Sequence, residues 1–527
     1  ELSAPRALAR AYYLEAKTHQ HYQRWEDALA SIENALKLDR RNSDYLYESY
    51  SLQAKLGESV KKFQATARMF YFLSEGEKLA KAGDYGEALV QFLSARQANS
   101  KSPIPLLKAG DMFVHTGEIV NAQLNFQKAA ALDPDDPEVA AKYIGVLIQA
   151  YEWELAEATM RKFRGVEGVK QGFLDKAAAD LYFRQGRLPE AVAFYRKAMS
   201  RGSADPETYF ALGRALSAGR DCRNANLYFG LGLRLDPLNA DAAIQTARCT
   251  AATESIDHGI NQLRDTVKRN PGATAALLSA IAELQIQKGD WAGAESTLSE
   301  AMIADPKAAA PWKPMALIHL NREGTDRNAV EKALQAYQSF SERNPSDVSG
   351  RLDRYRIFTK RNEFEKASEE LSRIYGLYPK YPNLHFYKGA LYVLMGNLRA
   401  AVDEFNIELK NNPASVGTLI ALGKVEIEGG AHEQGLGHFT QAMKLAPKSA
   451  EAKQWAGYAN YILKSYEAAI ALYQAALAID GANPMTFKRL GMAFRATGRN
   501  AEASQAFRKY LEMEPDAQDR AEFERFL

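Results

Sequence analysis

Catalysis, metal binding or phosphate binding in this chain would have to be built from eight histidines, two cysteines and one cluster of glycines. His19, His21, His115, His258, His319, His385, His432 and His438 are scattered. No two of them stand four apart on a helix with a glutamate between, as a zinc hydrolase requires. His19 and His21 would point to different faces of one helix, so all eight read as polar turn or surface residues. Cys222 and Cys249 are too few for a disulfide framework or a four-cysteine zinc site. Gly429, Gly430, Gly435 and Gly437 fall in EGGAHEQGLGHF, which lacks the preceding strand and the lysine followed by serine or threonine that a phosphate loop needs. Trp25, Trp153 and Trp291 share a repeating offset with Tyr85, Phe364 and Tyr466, which argues for packing rather than for an aromatic binding box. The chain is therefore expected to be a non-enzyme with no cofactor, no metal and no catalytic residues.

The elements that would carry these residues announce themselves by a period. Pro237, Pro271, Pro306, Pro345, Pro379, Pro413, Pro447 and Pro515 recur at intervals of 34 residues or close to it, and Gly481 stands midway between the last two. Most of these prolines end an apolar run, as in RLDPLNA and KNNPAS. A helix must stop there, because proline has no amide hydrogen to donate and disfavours helix in the residue before it. A fixed period of 20 to 50 residues marks a stacked array. Such an array grows without one central core, so 527 residues need not mean three or four separate domains.

Within each period the same residue types return. In 382–415, Gly389 is eighth, Tyr392 eleventh, Ala401 twentieth, Phe405 twenty-fourth and Pro413 thirty-second. In 484–517 the same offsets hold Gly491, Phe494, Ala503, Phe507 and Pro515. Two amphipathic helices of about a dozen residues, joined by polar turns such as KAGDY, HTGEI and QKGDW, account for this spacing. Small residues at the eighth and twentieth positions let the two backbones approach, and the aromatic fills the space beside them. A single hairpin cannot cover its own apolar face, so neighbours must stack.

These residues closely resemble the tetratricopeptide repeat family in length, small positions, aromatic positions and closing proline. The resemblance covers nearly the whole chain and implies an all-α superhelix (a solenoid) of about fourteen stacked hairpins, starting near 9, 69, 103, 138, 172, 206, 240, 275, 309, 348, 382, 416, 450 and 484. The layout expected from it is an N-terminal repeat plus an irregular helical insertion (1–68), a repeat array (69–308), one repeat with an extended turn where the array could hinge (309–347), a second array (348–515) and a C-terminal capping helix (516–527). About 26 extra residues after the first repeat have the length of an additional helix pair. The repeat at 138–171 has no clear closing proline and ends in RGVEGVKQG.

On the family's geometry, the second, fifth, ninth, twelfth and thirteenth positions of each repeat line a concave groove. That transfer nominates Arg214, Arg248, Arg356, Lys360, Phe386, Lys424, Tyr458, Tyr461, Lys488 and Arg495 as partner-binding residues. Arg214 and Arg248, both ninth in their repeats, are expected to stack along it. Such a lining suits a protein partner, or an extended peptide with acidic and apolar side chains. Two specialised modes of the family are absent: Lys313 and Lys488 are followed by Leu317 and Met492 where a carboxylate clamp needs asparagine, and Asn321 and Asn383 are too isolated for an asparagine ladder. Cys222 and Cys249 would lie on adjacent antiparallel helices of neighbouring repeats, either linked by a disulfide or as two buried thiols.

A net charge of +2, from 67 basic and 65 acidic residues, gives no basic footprint for nucleic acid. No stretch reaches the 18 apolar residues of a membrane span. The chain starts at Glu1 rather than Met, as a processed or excised form would, so a targeting signal would already be gone. The array resembles large bacterial scaffolds of the family that serve envelope secretion, polysaccharide export or pilus assembly, and a periplasmic location is favoured over a cytoplasmic one. The alternative expectation is a recognition domain excised from a larger enzyme or outer-membrane export channel.

Overall fold

A computed structural model describes residues 4–39, 42–56, 60–162 and 169–527. Thirty α-helices and one short 3-10 turn make up the architecture, with no strand among the described residues. Twenty-eight of the helices pair into fourteen hairpins. The other two are Ser43–Lys55 and the five-residue Arg520–Glu524 near the C-terminus. The chain divides into two compact bodies, Glu1–Arg351 with nine hairpins and Leu352–Leu527 with the rest.

Local chemistry sets the helix boundaries. Most second helices end at an extended residue that precedes a proline, as at Asp236, with φ −133° and ψ 80° before Pro237. First helices are opened by side-chain caps: Asp205 accepts from the Thr208 amide at 2.7 Å, Asn239 from Ala242 at 3.0 Å and Asn483 from Thr486 at 3.0 Å. Between the two helices the chain reverses through one left-handed residue. Gly83, Gly117 and Gly289 hold φ of 88°, 79° and 86° there, and the next amide reaches back five residues, from Asp84 to Leu79 at 3.0 Å and from Asp290 to Gln285 at 2.9 Å.

Inside each hairpin the small positions do what their spacing demands. Ala88, Ala122, Ala191, Ala225, Ala294, Ala367, Ala401 and Ala469, all twentieth in their repeats, have no solvent exposure. A Cβ on Gly389 would come within 2.5 Å of the Phe405 ring, and one on Gly213 within 2.6 Å of the Phe229 ring. The glycine thus makes room for the aromatic, and the aromatics Phe92, Phe229, Phe405, Phe439 and Phe507 are among the most buried side chains of the fold. The aromatics at the seventeenth position (Trp25, Tyr85, Trp153, Trp291, Phe364 and Tyr466) each open a second helix and are half-buried.

Three irregular places differ in kind. After the first repeat there is one extra helix, Ser43–Lys55, rather than a pair. The next helix, Val60–Ala82, simply starts early, because no glycine or proline interrupts residues 60–75. The extended turn of the 309–347 repeat is not loose: Arg322 in that turn donates two hydrogen bonds to Glu295, at 3.0 and 2.6 Å, and Asp326 pairs with Lys332 at 2.7 Å. The closing stretch RGVEGVKQG falls largely on residues 163–168, outside the described residues. Within the N-terminal body, the turn at Gly117 lies against the turn at Ser346, where a Cβ on the glycine would meet the serine Cβ at 3.3 Å. Hairpins far apart in sequence thus meet as that body coils.

Candidate partner-binding grooves

The first helices of the repeats line a hollow in each body. In the N-terminal body a hollow of about 830 Å³ is lined by residues that include Arg10, Tyr45, Glu77, Lys108, Asp111 and Lys142. Four of its charges are matched between neighbouring repeats: Lys108 pairs with Glu77 and Lys142 with Asp111, both at 2.7 Å. The same pattern continues beyond the hollow with its sense reversed. Arg214 bridges Glu207 on its own helix at 2.5 Å and Asp241 of the next repeat at 3.2 Å, and Arg248 pairs with Glu283 one repeat further on. Arg214 and Arg248 are therefore cross-repeat links to carboxylates rather than members of a cationic stack. Burial lowers the pKa of Arg214, but Glu207 and Asp241 outweigh it and leave the net shift upward.

In the C-terminal body, Phe386, Lys424 and Tyr458 come together around a mostly apolar hollow of about 780 Å³. Its walls come from the first helices Leu384–Leu394, Val416–Glu428, Ala450–Ile462 and Pro484–Ala496. Lys424 pairs with Glu451 at 2.6 Å and stands 4.8 Å from the centre of the Trp455 ring. Two contributors escaped the sequence reading, Trp455 and Arg489, both sixth in their repeats. The signal that could have found them is a large aromatic and a cation at one offset in consecutive repeats.

The remaining candidates sit elsewhere. Arg356 is exposed and pairs with Asp353 on its own helix at 2.9 Å, and Lys360 is exposed at the end of that helix. Tyr461 packs against Tyr466, ring centres 5.5 Å apart. Lys488 and Arg495 are engaged by the chain's own C-terminal segment: Lys488 pairs with Asp519, and the Arg495 guanidinium lies 4.0 Å from the centre of the Phe526 ring. Cys222 and Cys249 are free thiols, with Cys249 buried beside Cys222 and within 3.3 Å of the Ser217 hydroxyl. Burial, with the neighbouring Cys222, pushes the Cys249 thiol up to about 11. Among the described residues no three potential ligands gather as a metal site, and no helix is long and apolar enough to cross a membrane.

Three family models, each described as a tetratricopeptide repeat, match residues 51–222, 420–484 and 489–517, together just over half of the chain. The chain belongs to the tetratricopeptide repeat family. Tetratricopeptide repeat proteins generally act as protein-interaction scaffolds. The chain is 22% identical to cellulose synthase operon protein C of Pseudomonas fluorescens (strain SBW25), over 89% of its own length. It spans only 38% of that relative's length. It is also 22% identical to a TPR repeat-containing protein of Methanocaldococcus jannaschii, covering 90% of this chain and 80% of the relative. Among solved structures it is similar to the APC/C hetero-tetramer Cut9–Hcn1, with 13% identity, coverage of 89% of this chain and 98% of that one, and a TM-score of 0.38. Yeast Tom70 gives 11% identity, coverage of 82% and 96%, and a TM-score of 0.38.

Proposed function

We propose that this chain is a non-enzymatic scaffold that binds protein partners along the concave faces of its repeats. The observation that supports the reading most directly is the hollow of the C-terminal body. Apolar walls from four successive first helices, with a few polar side chains among them, form a lining suited to side chains of another protein. The finer reading is a bacterial envelope role on the periplasmic side, in secretion, polysaccharide export or pilus assembly. Similarity to cellulose synthase operon protein C across 89% of the chain favours polysaccharide export among these. Because the match covers 38% of that longer protein, a second reading is that the chain is the recognition part of a larger enzyme or export channel.

Site-specific photo-cross-linking in intact cells tests the scaffold reading. A photoreactive residue at Leu394, which is exposed and lines the hollow, should give discrete protein adducts. The same residue at Leu227 or Val120, exposed on second helices, should give few. Equal adducts from both sets, or none from Leu394, would remove the concave face as the binding surface. Adducts with envelope export or secretion components carry the finer reading, and adducts with cytosolic proteins alone overturn it.

A further inference from the structure

The hollow of the C-terminal body contains a cation that the fold leaves without a counter-ion. Arg489, sixth in its repeat on the helix Pro484–Ala496, is half-buried and lines the hollow. Its guanidinium carbon lies 4.6 Å from the centre of the Trp455 ring and 4.3 Å from that of Tyr458. Its Nη1 is buried with no hydrogen-bond acceptor, and no carboxylate pairs with it among the described residues. Burial holds its pKa below the ordinary arginine value, while Tyr473 and Tyr458 pull weakly the other way. The nearby lysines differ: Lys424 has Glu451, and Lys488 has Asp519. The other ionisable residues lining the hollow are Glu428, exposed at its rim, and His432, whose Nδ1 is likewise buried without a partner.

An arginine taken out of water without a counter-charge is costly, and stacking on aromatic rings offsets only part of that cost. Ring contacts engage the faces of a guanidinium. The in-plane N–H donors, the ones that match a carboxylate edge to edge, are left over. Around Arg489 the wall is apolar, with Phe386, Val393, Leu394, Val425 and Ile462 facing the same hollow.

We propose that this hollow binds a peptide segment in which an aspartate or glutamate stands next to a large apolar residue. The carboxylate sits on the N–H edge of Arg489, and the apolar side chain enters the wall beside it. The inference rests on the scaffold reading and names the chemistry of its partner. A peptide fits better than a small carboxylic acid because the lining runs over four successive first helices, from Phe386 to Arg489, and places several apolar side chains beside the one cation. A small acid would meet the cation and leave that apolar lining unfilled.

Selection from a random dodecapeptide library on the intact chain, followed by fluorescence anisotropy with the best synthetic peptide, tests it. The selected peptides should pair an acid with a large apolar residue. Arg489→Met should weaken binding tenfold or more, as should the acid-to-amide change in the peptide. Both changes together should cost no more than either alone, because each removes the same contact. The Arg489→Met chain should melt at or above the parent temperature, since it loses an unpaired buried charge. Selected peptides without an acid, unchanged affinity in Arg489→Met, or a clearly lower melting temperature would each overturn the proposal. If no peptide is selected while Leu394 still cross-links to proteins, this inference falls and the scaffold reading stands. If both experiments are empty, both fall.

Discussion

At the scale of single residues, the contact that defines each hairpin sets helix propensity against space. Alanine is preferred over glycine inside a helix by about 1 kcal/mol. At Gly389 the added methyl would meet Phe405 Cε1 at 2.5 Å, in a core where overpacking costs about 1–3 kcal/mol. Gly389→Ala should therefore destabilise its repeat by about 1 kcal/mol despite the better propensity, read as a lower urea midpoint. A higher midpoint would mean that the ring has room to move. Ala401→Trp, at a position with no exposure, should unfold that repeat locally, read as lost amide-exchange protection. These packing residues are legible in the sequence because their offsets repeat. The state of a charge is not: the offset of Arg214 predicts a groove position but says nothing of Glu207 and Asp241, which already occupy its guanidinium.

At the scale of elements, the turn between the two helices carries a uniform demand. Twelve of the fourteen hairpins place a left-handed residue at the same offset, and seven of these are glycine. Gln23, Tyr151, Arg220, Asn362 and Lys464 occupy it instead, with φ between 58° and 64°. A side chain there costs roughly 1–2 kcal/mol, which glycine avoids at the price of a more flexible unfolded chain. Lys464→Gly should stabilise the C-terminal body by a few tenths to about 1 kcal/mol, measured as a raised urea midpoint. A lowered midpoint would show that the lysine side chain makes a contact worth more than the backbone strain. The 309–347 repeat departs from this turn chemistry. Its longer connection is held by the Arg322–Glu295 fork instead, a pairing across 27 residues that no local pattern announces.

At the scale of the molecule, the segment that follows the hairpin Pro484–Met513 packs back onto it. Phe507 would be exposed if residues 519–526 did not cover it. Phe523 lies against Phe507, ring centres 4.7 Å apart, and Asp519 accepts from both Lys488 and the Tyr510 hydroxyl. Burial alone would raise the Asp519 pKa, but those two donors outweigh it and hold the carboxyl below its ordinary value. A carboxylate with a lowered pKa contributes its stability above the ordinary value of about 4 and loses it as pH falls through the lowered one. Asp519→Ala at neutral pH should speed tryptic cleavage at Arg520 and Arg525 several-fold while the helical signal stays unchanged. The parent should show the same loosening under an acid protease only below about pH 4. Cleavage at the parent rate in Asp519→Ala would show that the aromatic contact alone holds the segment.

The sequence by itself determined the all-α class, the fourteen hairpins, the proline stops after second helices and the buried small and aromatic positions. Each of these depends on neighbours within one repeat: a proline that cannot donate, a cap three residues from its amide, a glycine facing one ring. Only the tertiary structure decided which charges are spent and which are free. Lys142 finds Asp111 across 31 residues, and Lys488 finds Asp519 across 31, while Arg489 finds two aromatic faces and no acid. Such partners lie on adjacent helices of different repeats, so they are fixed by how one hairpin is rotated against the next. That rotation is set by the packing of whole helix faces, and no offset within a single repeat encodes it.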